Sequence, residues 1–216
     1  MLKYIDLHTH QIPASQDVFS IINLLPPFQS VPQSFFSSGI HPWQAEHCSE
    51  NDWQRLEELL SDPSCLAVGE CGLDFFRPVN RKIQETALAR QLDWALSYHK
   101  PVIIHCVKAY NQLAFLPKKY NIPFIFHGFN SSPELAEQLV KNGSYLSFGQ
   151  ALLKNPQRLT KCMQKSKGRF FLESDNCGLA IEVIYEQAAR LLEIDWSELL
   201  EIQKRNFVNC FGKEIW

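Results

Sequence analysis

The sequence predicts one α/β domain over residues 1–216, a (β/α) barrel whose N-terminal quarter is shortened and irregular. Two observations lead there. Eight short apolar runs alternate with longer segments of helical period, the pattern of βα units around a parallel sheet. The first two connections, in contrast, cannot be helical crossovers. Strands are predicted at "KYIDL" (3–7), "VFSII" (18–22), "SFFSSG" (34–39), "CLAVG" (65–69), "PVIIH" (101–105), "PFIFH" (123–127), "SYLSFG" (144–149) and "RFFLE" (169–173). Too few residues separate the first strand from the second for a helix between parallel strands. The next connection, "NLLPPFQSVPQS" (23–34), carries three prolines and will not be helical. Helices are predicted near 50–61, 81–99, 107–120, 132–142, 155–166, 180–193 and 196–209. Ser49, Ser132-Pro133 and Asn155-Pro156 are start signals for three of them.

With 45% apolar and 20% charged residues, the chain can build a sizeable core. A net charge of −2 gives no global drive toward nucleic acid or an anionic membrane, so any such binding has to be local. No apolar run approaches the roughly 18 residues of a membrane span, and no basic region leads into an apolar stretch at the N-terminus. Neither a membrane segment nor a secretory signal is expected. The seven cysteines form no CxxC pair, which argues against a zinc ribbon or a disulfide scaffold and fits a reducing cytoplasm. Nothing calls for an obligate protein partner.

Chemistry-bearing residues fall at the predicted strand ends. His8 and His10 follow the first strand, and residues i and i+2 of an extended chain point the same way. His41 follows the third in "GIHPW", and Glu70 and Asp74 follow the fourth in "GECGLDFF". His105 and His127 end the fifth and sixth, and "ESD" brings Asp175 after the eighth. In a parallel barrel these positions share the C-terminal face, where active sites of this architecture sit. Converging imidazoles and carboxylates make a ligand set for one or two divalent cations. Singly, each has a plainer reading: a hydrogen-bonded histidine, a turn residue at His41, or a helix cap at Asp175. Six together on one face point to a metal centre.

The motifs "DLHTH", "GIHPW", "GECGLDFF", "VIIHCVKA", "FIFHGF" and "FLESD", in that order, resemble those of the TatD family of metal-dependent deoxyribonucleases and related hydrolases. The resemblance implies a TIM-type barrel with one or two divalent metals (magnesium, manganese or zinc) at the strand C-termini. It implies that His8, His10 and Asp175 hold one metal, and His105 and His127 the second, with Glu70 bridging. Asp6 and Asp74 would orient these ligands from behind, and His41 and Lys108 would meet substrate. Water held by such cations loses a proton near neutral pH and becomes a nucleophile. Asp175 could orient it or take its proton, which makes Glu70 and Asp175 the expected catalytic carboxylates. The implied reaction is phosphodiester hydrolysis, with DNA the expected substrate. A barrel hydrolase of a small ester, phosphoester or amide stays open, as does a metal-bound protein that only binds a partner.

Three departures from the family pattern concern the grip on substrate. Val107 stands where the family usually has an arginine, with Lys108 one place later. Asn176-Cys177 replaces the common Ser-Pro, and "CGLAIE" passes almost directly into a helix where the family carries a basic loop. Lys154, Arg158, Lys161 and Lys165 fall at spacings that put them on one helical face. The plainer reading of that face, solvated surface, is preferred over phosphate binding. Cys106 and Cys177, beside expected ligands, are read as small packing residues.

Overall fold

The computed structural model describes residues 3–12, 15–28 and 30–215. Among them the elements run β1 (Tyr4–Thr9), β2 (Val18–Leu24), β3 (Phe36–Ser38), α1 (Glu50–Ser61), β4 (Cys65–Asp74), α2 (Arg81–Ser97), β5 (Val102–Val107), α3 (Tyr110–Leu113), α4 (Leu116–Tyr120) and β6 (Phe124–Phe126). They continue through α5 (Pro133–Lys141), β7 (Tyr145–Phe148), α6 (Ala151–Lys154), α7 (Pro156–Lys165), β8 (Phe170–Leu172), α8 (Ile181–Leu192) and α9 (Trp196–Phe211). The strands follow one another in one eight-stranded sheet in chain order. All eight predicted strands form. Among the described residues the β1–β2 and β2–β3 connections carry no helix, so the first quarter is as reduced as expected.

Three details differ from the sequence reading. The fourth strand does not stop at residue 69 but runs on to Asp74, so Glu70 and Asp74 are strand residues. The helix predicted over 107–120 is two short helices, because Pro117 at the start of α4 has no N–H with which to continue α3. The segment before Pro156 forms its own helical turn, α6, and Asn155 makes no side-chain cap. Ser49 and Ser132 do cap, accepting the N–H groups of Asp52 and Leu135.

By internal contacts the chain divides into two units, Ile21–Phe126, and Met1–Ser20 with His127–Trp216. In the first unit, β2–β3, β3–β4, β4–β5 and β5–β6 pair in parallel, over a core that includes the fully buried Phe36, Phe124 and Phe126. Helix α2 turns two buried glutamines toward the strand ends. Gln91 accepts the Ile40 N–H at 2.7 Å and donates to the Ile40 carbonyl at 3.1 Å. One turn pair earlier, Gln84 accepts the Asp74 N–H at 2.7 Å and donates to the Asp74 carbonyl at 3.0 Å. Each amide thus imitates a missing strand neighbour and closes off backbone groups that water cannot reach. Each also fixes the chain beside a chemistry-bearing residue, His41 in one case and Asp74 in the other.

The second unit uses the same device from its C-terminal helices. The Tyr185 hydroxyl accepts the Ile5 N–H and donates to the Ile5 carbonyl, both at 3.0 Å, pinning β1. Gln203 accepts the Leu172 N–H and donates to the Phe170 carbonyl on β8. The core here is again aromatic, with Phe129, Phe148, Phe170, Phe171 and Phe207 fully buried.

Replacing Gln91 by leucine should strand both polar groups of Ile40 in the interior. A loss of about 2 kcal/mol in urea unfolding is expected, within the range for buried groups left without partners. A change below about 0.5 kcal/mol would mean that the clamp is incidental.

Candidate metal centres

In the unit that contains both termini, β1 delivers His8 and His10, and the main chain delivers Asp175 to them. Asp175 adopts a left-handed conformation, φ 51°. Its N–H donates to the His8 carbonyl at 2.9 Å, and its carbonyl accepts the His10 N–H at 3.2 Å. Held in this way, Asp175 Oδ1 lies 3.8 Å from His8 Nε2 and 3.5 Å from His10 Nε2. Ligand atoms each about 2.1 Å from a tetrahedral ion stand about 3.4 Å from one another. The trio is therefore spaced for a cation, and its imidazole and carboxylate donors suit zinc or manganese. The His127 ring lies beside His8, centroid to centroid 4.6 Å.

Two buried carboxylates fix the residues beside this trio, Glu173 at His127 and Asp6 at Ser174. Glu173 accepts the Gly128 N–H at 2.6 Å, and its Oε1 lies 3.5 Å from His127 Nδ1. Burial, the largest influence, pushes Glu173 up, but His127 and His8 outweigh it and hold the carboxyl below its ordinary value. Asp6 accepts the Ser174 N–H at 2.8 Å and its hydroxyl at 2.6 Å. It grips the residue next to Asp175 and also feels the charge of His8. Burial dominates here and raises Asp6 to about 7, against the lowering effect of the two Ser174 bonds.

In the other unit, Glu70 and Asp74 stand on the same face of β4 and bracket His105 on β5. Glu70 Oε1 lies 2.8 Å from His105 Nδ1, and Asp74 Oδ2 lies 3.3 Å from His105 Nε2. A neutral imidazole can donate to only one of two carboxylates, so the second contact requires another proton or a cation between ring and carboxylate. Asn23 on β2 fixes Glu70 twice, donating to Oε2 at 3.1 Å and accepting the Glu70 N–H at 2.9 Å. His41 Nε2 lies 3.2 Å from Glu70 Oε1, while its Nδ1 accepts the Trp43 N–H at 3.2 Å. With Nδ1 used as an acceptor, the neutral ring carries its proton on Nε2 and faces Glu70 as a donor. His41, Glu70 and His105 form a second cluster of potential ligands, with His41 the member least suited to bind metal.

A family model described as TatD related DNase matches residues 9–212. The chain belongs to the TatD family. Relatives include a protein of Edwardsiella piscicida named 3'-5' ssDNA/RNA exonuclease TatD, 34% identical over 114 residues, which are 51% of this chain and 44% of that protein. The metal-dependent hydrolase YabD of Bacillus subtilis is 27% identical over 194 residues, 80% of this chain and 75% of its own. The matches to the exonucleases named TatD thus span less than half of those proteins. Among solved structures, the TatD homologue YjjV of Escherichia coli superposes with a TM-score of 0.82 at 21% identity, over 98% of both chains. A TatD family hydrolase from Entamoeba histolytica gives 0.80 at 16% identity, over 97% and 98%. These likenesses show the fold: a TIM-type (β/α) barrel, as the sequence predicts.

Several residues that organise this TatD-family site escaped the sequence reading. Asn23, Gln84 and Gln91 are polar residues inside apolar patterns, and that mismatch was their only signal. Glu173 lies within "FLESD", two residues before Asp175, where its position in a buried strand end hides its role. The basic face does not hold together: Lys154 belongs to α6, Lys165 pairs with Glu137 at 3.0 Å, and Arg158 donates to Asn130. Lys108 takes a left-handed conformation just past β5, φ 54°. Burial pushes the Cys106 thiol up to about 12, in keeping with a small packing residue.

Asp6 gives this centre a pH signature. Its folded-state value of about 7 stands above the ordinary 3.8, so the folded chain holds that proton more tightly than the unfolded chain. The stability it contributes is complete below about pH 4 and is lost as pH rises through 7. In chelator-treated protein, the stability of wild type relative to Asp6→Asn should fall by on the order of 2 kcal/mol between pH 5 and pH 8. Urea unfolding at both pH values measures it, and a constant difference would contradict the assignment.

Proposed function

We propose that the chain is a metal-dependent hydrolase of phosphodiester bonds, with single-stranded nucleic acid, DNA first, as its substrate and residues 1–216 acting as one barrel domain. The observation that carries this reading is the His8–His10–Asp175 trio, spaced for a cation. A cavity of about 210 Å³ lies beside it, lined by Asp175, Glu173, Asn130, Gln150 and Lys154 among others. Relatives named as ssDNA/RNA exonucleases and as metal-dependent hydrolases support the same assignment.

One or two divalent ions, magnesium, manganese or zinc, would be held by His8, His10, Asp175, Glu70, His105 and His127, with Glu70 in the bridging role that the family resemblance implies. Bound there, a divalent cation supplies water acidified toward neutral pH and offsets charge on phosphate oxygens. The protein's own part is to place and protonate. Asp175, fixed through its main chain, orients the attacking water and is the group able to take its proton. His41 directs its Nε2 proton at Glu70 and so keeps that carboxylate in place. Lys154 and the amides of Asn130 and Gln150 offer donors to phosphate oxygens in the cavity. Arg158 occupies the Asn130 carbonyl oxygen, which leaves the amide N–H groups of that side chain to donate.

No described helix is long and apolar enough to cross a membrane. All seven cysteines are free thiols, in keeping with a reducing, cytoplasmic setting.

The test is hydrolysis of an end-labelled 20-nucleotide DNA strand, its RNA equivalent and bis(p-nitrophenyl) phosphate, after chelation and resupply of single metals. Activity should vanish on chelation and return with metal. Asp175→Asn should lower kcat by on the order of a hundredfold or more, the scale of a lost proton acceptor. Glu70→Gln should lose at least about tenfold together with bound metal. Full activity in chelated protein, or a wild-type rate for Asp175→Asn, would overturn the reading.

A further inference from the structure

Of the exposed aromatic side chains in the unit around Glu70 and His105, two follow its chemistry-bearing residues in the chain, Trp43 after His41 and Phe76 after Asp74. Trp43 is 45% exposed and Phe76 is 68% exposed. Trp43 shares the loop after β3 with His41, Phe76 follows the end of β4, and both are paired with cations. The Arg77 guanidinium lies 4.4 Å from the Trp43 ring centroid, and the Lys108 ammonium lies 4.7 Å from that of Phe76. Exposed aromatics usually stand singly and need no explanation. These two are held in place by one carboxylate.

Asp74 is that carboxylate. Its Oδ1 accepts the main-chain N–H groups of Phe76 and Arg77, at 2.9 and 3.3 Å, a turn that sets the direction of both side chains. Its Oδ2 accepts the Trp43 indole N–H at 2.6 Å and faces His105. The Trp43 ring lies 4.7 Å from that of His41 and 5.9 Å from that of His105, edge to face in both cases. Lys108 reaches Phe76 from its left-handed position after β5, a conformation uncommon for lysine. Aromatic faces and cations fixed at the rim of a metal-ligating cluster have the composition of a single-strand binding site, in which bases stack on rings and phosphates meet cations.

We propose that Phe76 and Trp43, with Lys108 and Arg77, form a platform that takes an unpaired base of a single-stranded nucleic acid next to the Glu70–His105 cluster. This rests on the phosphodiesterase reading and adds to it a requirement for a base. Phe76 offers its ring to the base, with Lys108 on one face and most of its surface open. Arg77, its guanidinium over the Trp43 ring, presents N–H groups to a phosphate and a second surface to a neighbouring base. Lys108 supplies the backbone contact that Val107 cannot. The strand is therefore recognised by the presence of bases without regard to their identity, since every base has a π-face.

The experiment compares binding of two phosphorothioate strands of equal length to metal-loaded protein, one a 12-nucleotide oligo-dT and the other abasic. Fluorescence anisotropy gives both dissociation constants, and hydrolysis of the 20-nucleotide DNA is measured alongside. Wild type should bind the base-bearing strand about fivefold or more tightly than the abasic one, the lower end of what one stacked base contributes. Phe76→Ala should lower that ratio by the contribution of one stacked base, about fivefold, and Phe76→Trp should restore it. Lys108→Gln should weaken both strands alike and reduce the salt dependence of binding by about one charge. Equal binding of the two strands by wild type, or an unchanged ratio in Phe76→Ala, overturns the platform while hydrolysis of DNA still stands. Failure to bind or cut any strand overturns the phosphodiesterase reading and the platform with it.

Discussion

Gly72 lies so close to β5 that a Cβ placed on it would stand 2.0 Å from the His105 carbonyl oxygen. Its φ of 149° is a conformation that side-chain-bearing residues rarely adopt. Both facts allow β4 to run directly alongside β5 with Gly72 opposite His105. From that register the rest of the cluster follows. Residues 70 and 74, two before and two after, share a face and fall on either side of the imidazole. A slip of one residue would turn Glu70 and Asp74 away together. The unit that contains the termini solves the same problem with main-chain bonds: the Asp175 peptide pairs with His8 and His10, and its carboxylate lies beside both imidazoles.

Strand ends that carry charged side chains also carry backbone groups without sheet partners, and burying both is costly. This protein answers with side-chain amides and hydroxyls projected from helices. Gln84 and Gln91 from α2, Gln203 from α9 and Tyr185 from α8 each satisfy a main-chain donor and acceptor on one strand residue or its near neighbours. The helices therefore do more than cover apolar faces. They set the ends of the strands, and through them the positions of His41, Asp74 and the β1 histidines. Asp6 and Asn23 act one layer nearer to the centres, the first on Ser174 and the second on Glu70.

The strands were readable because each is a short apolar run bounded by turn residues, and the expected metal ligands because histidine and carboxylate are uncommon at so many strand ends at once. The extension of β4 through "GECGLD" was not readable, since glycine and two acids disguise a strand whose every residue is buried. The split of residues 107–120 was signalled by Pro117 and overridden by an apolar pattern. Arrangements that depend on what lies opposite in space left no mark along the chain. The bracket around His105, the proton placed on His41 Nε2 by Trp43 and the hold of Asp74 on Phe76 and Arg77 all belong to this class. Asn23 shows the limit best: in sequence it is a polar residue ending an apolar run, and in the fold it secures Glu70 at both backbone and side chain.

Hydrolysis by this protein, as proposed, depends on divalent cations held at these two clusters. Crystals soaked in manganese and measured for anomalous scattering locate such ions directly. Peaks are expected among His8, His10 and Asp175 and beside Glu70 and His105, with the first lost in crystals of Asp175→Asn. Manganese found only on exposed carboxylates, with both clusters empty, would contradict that dependence.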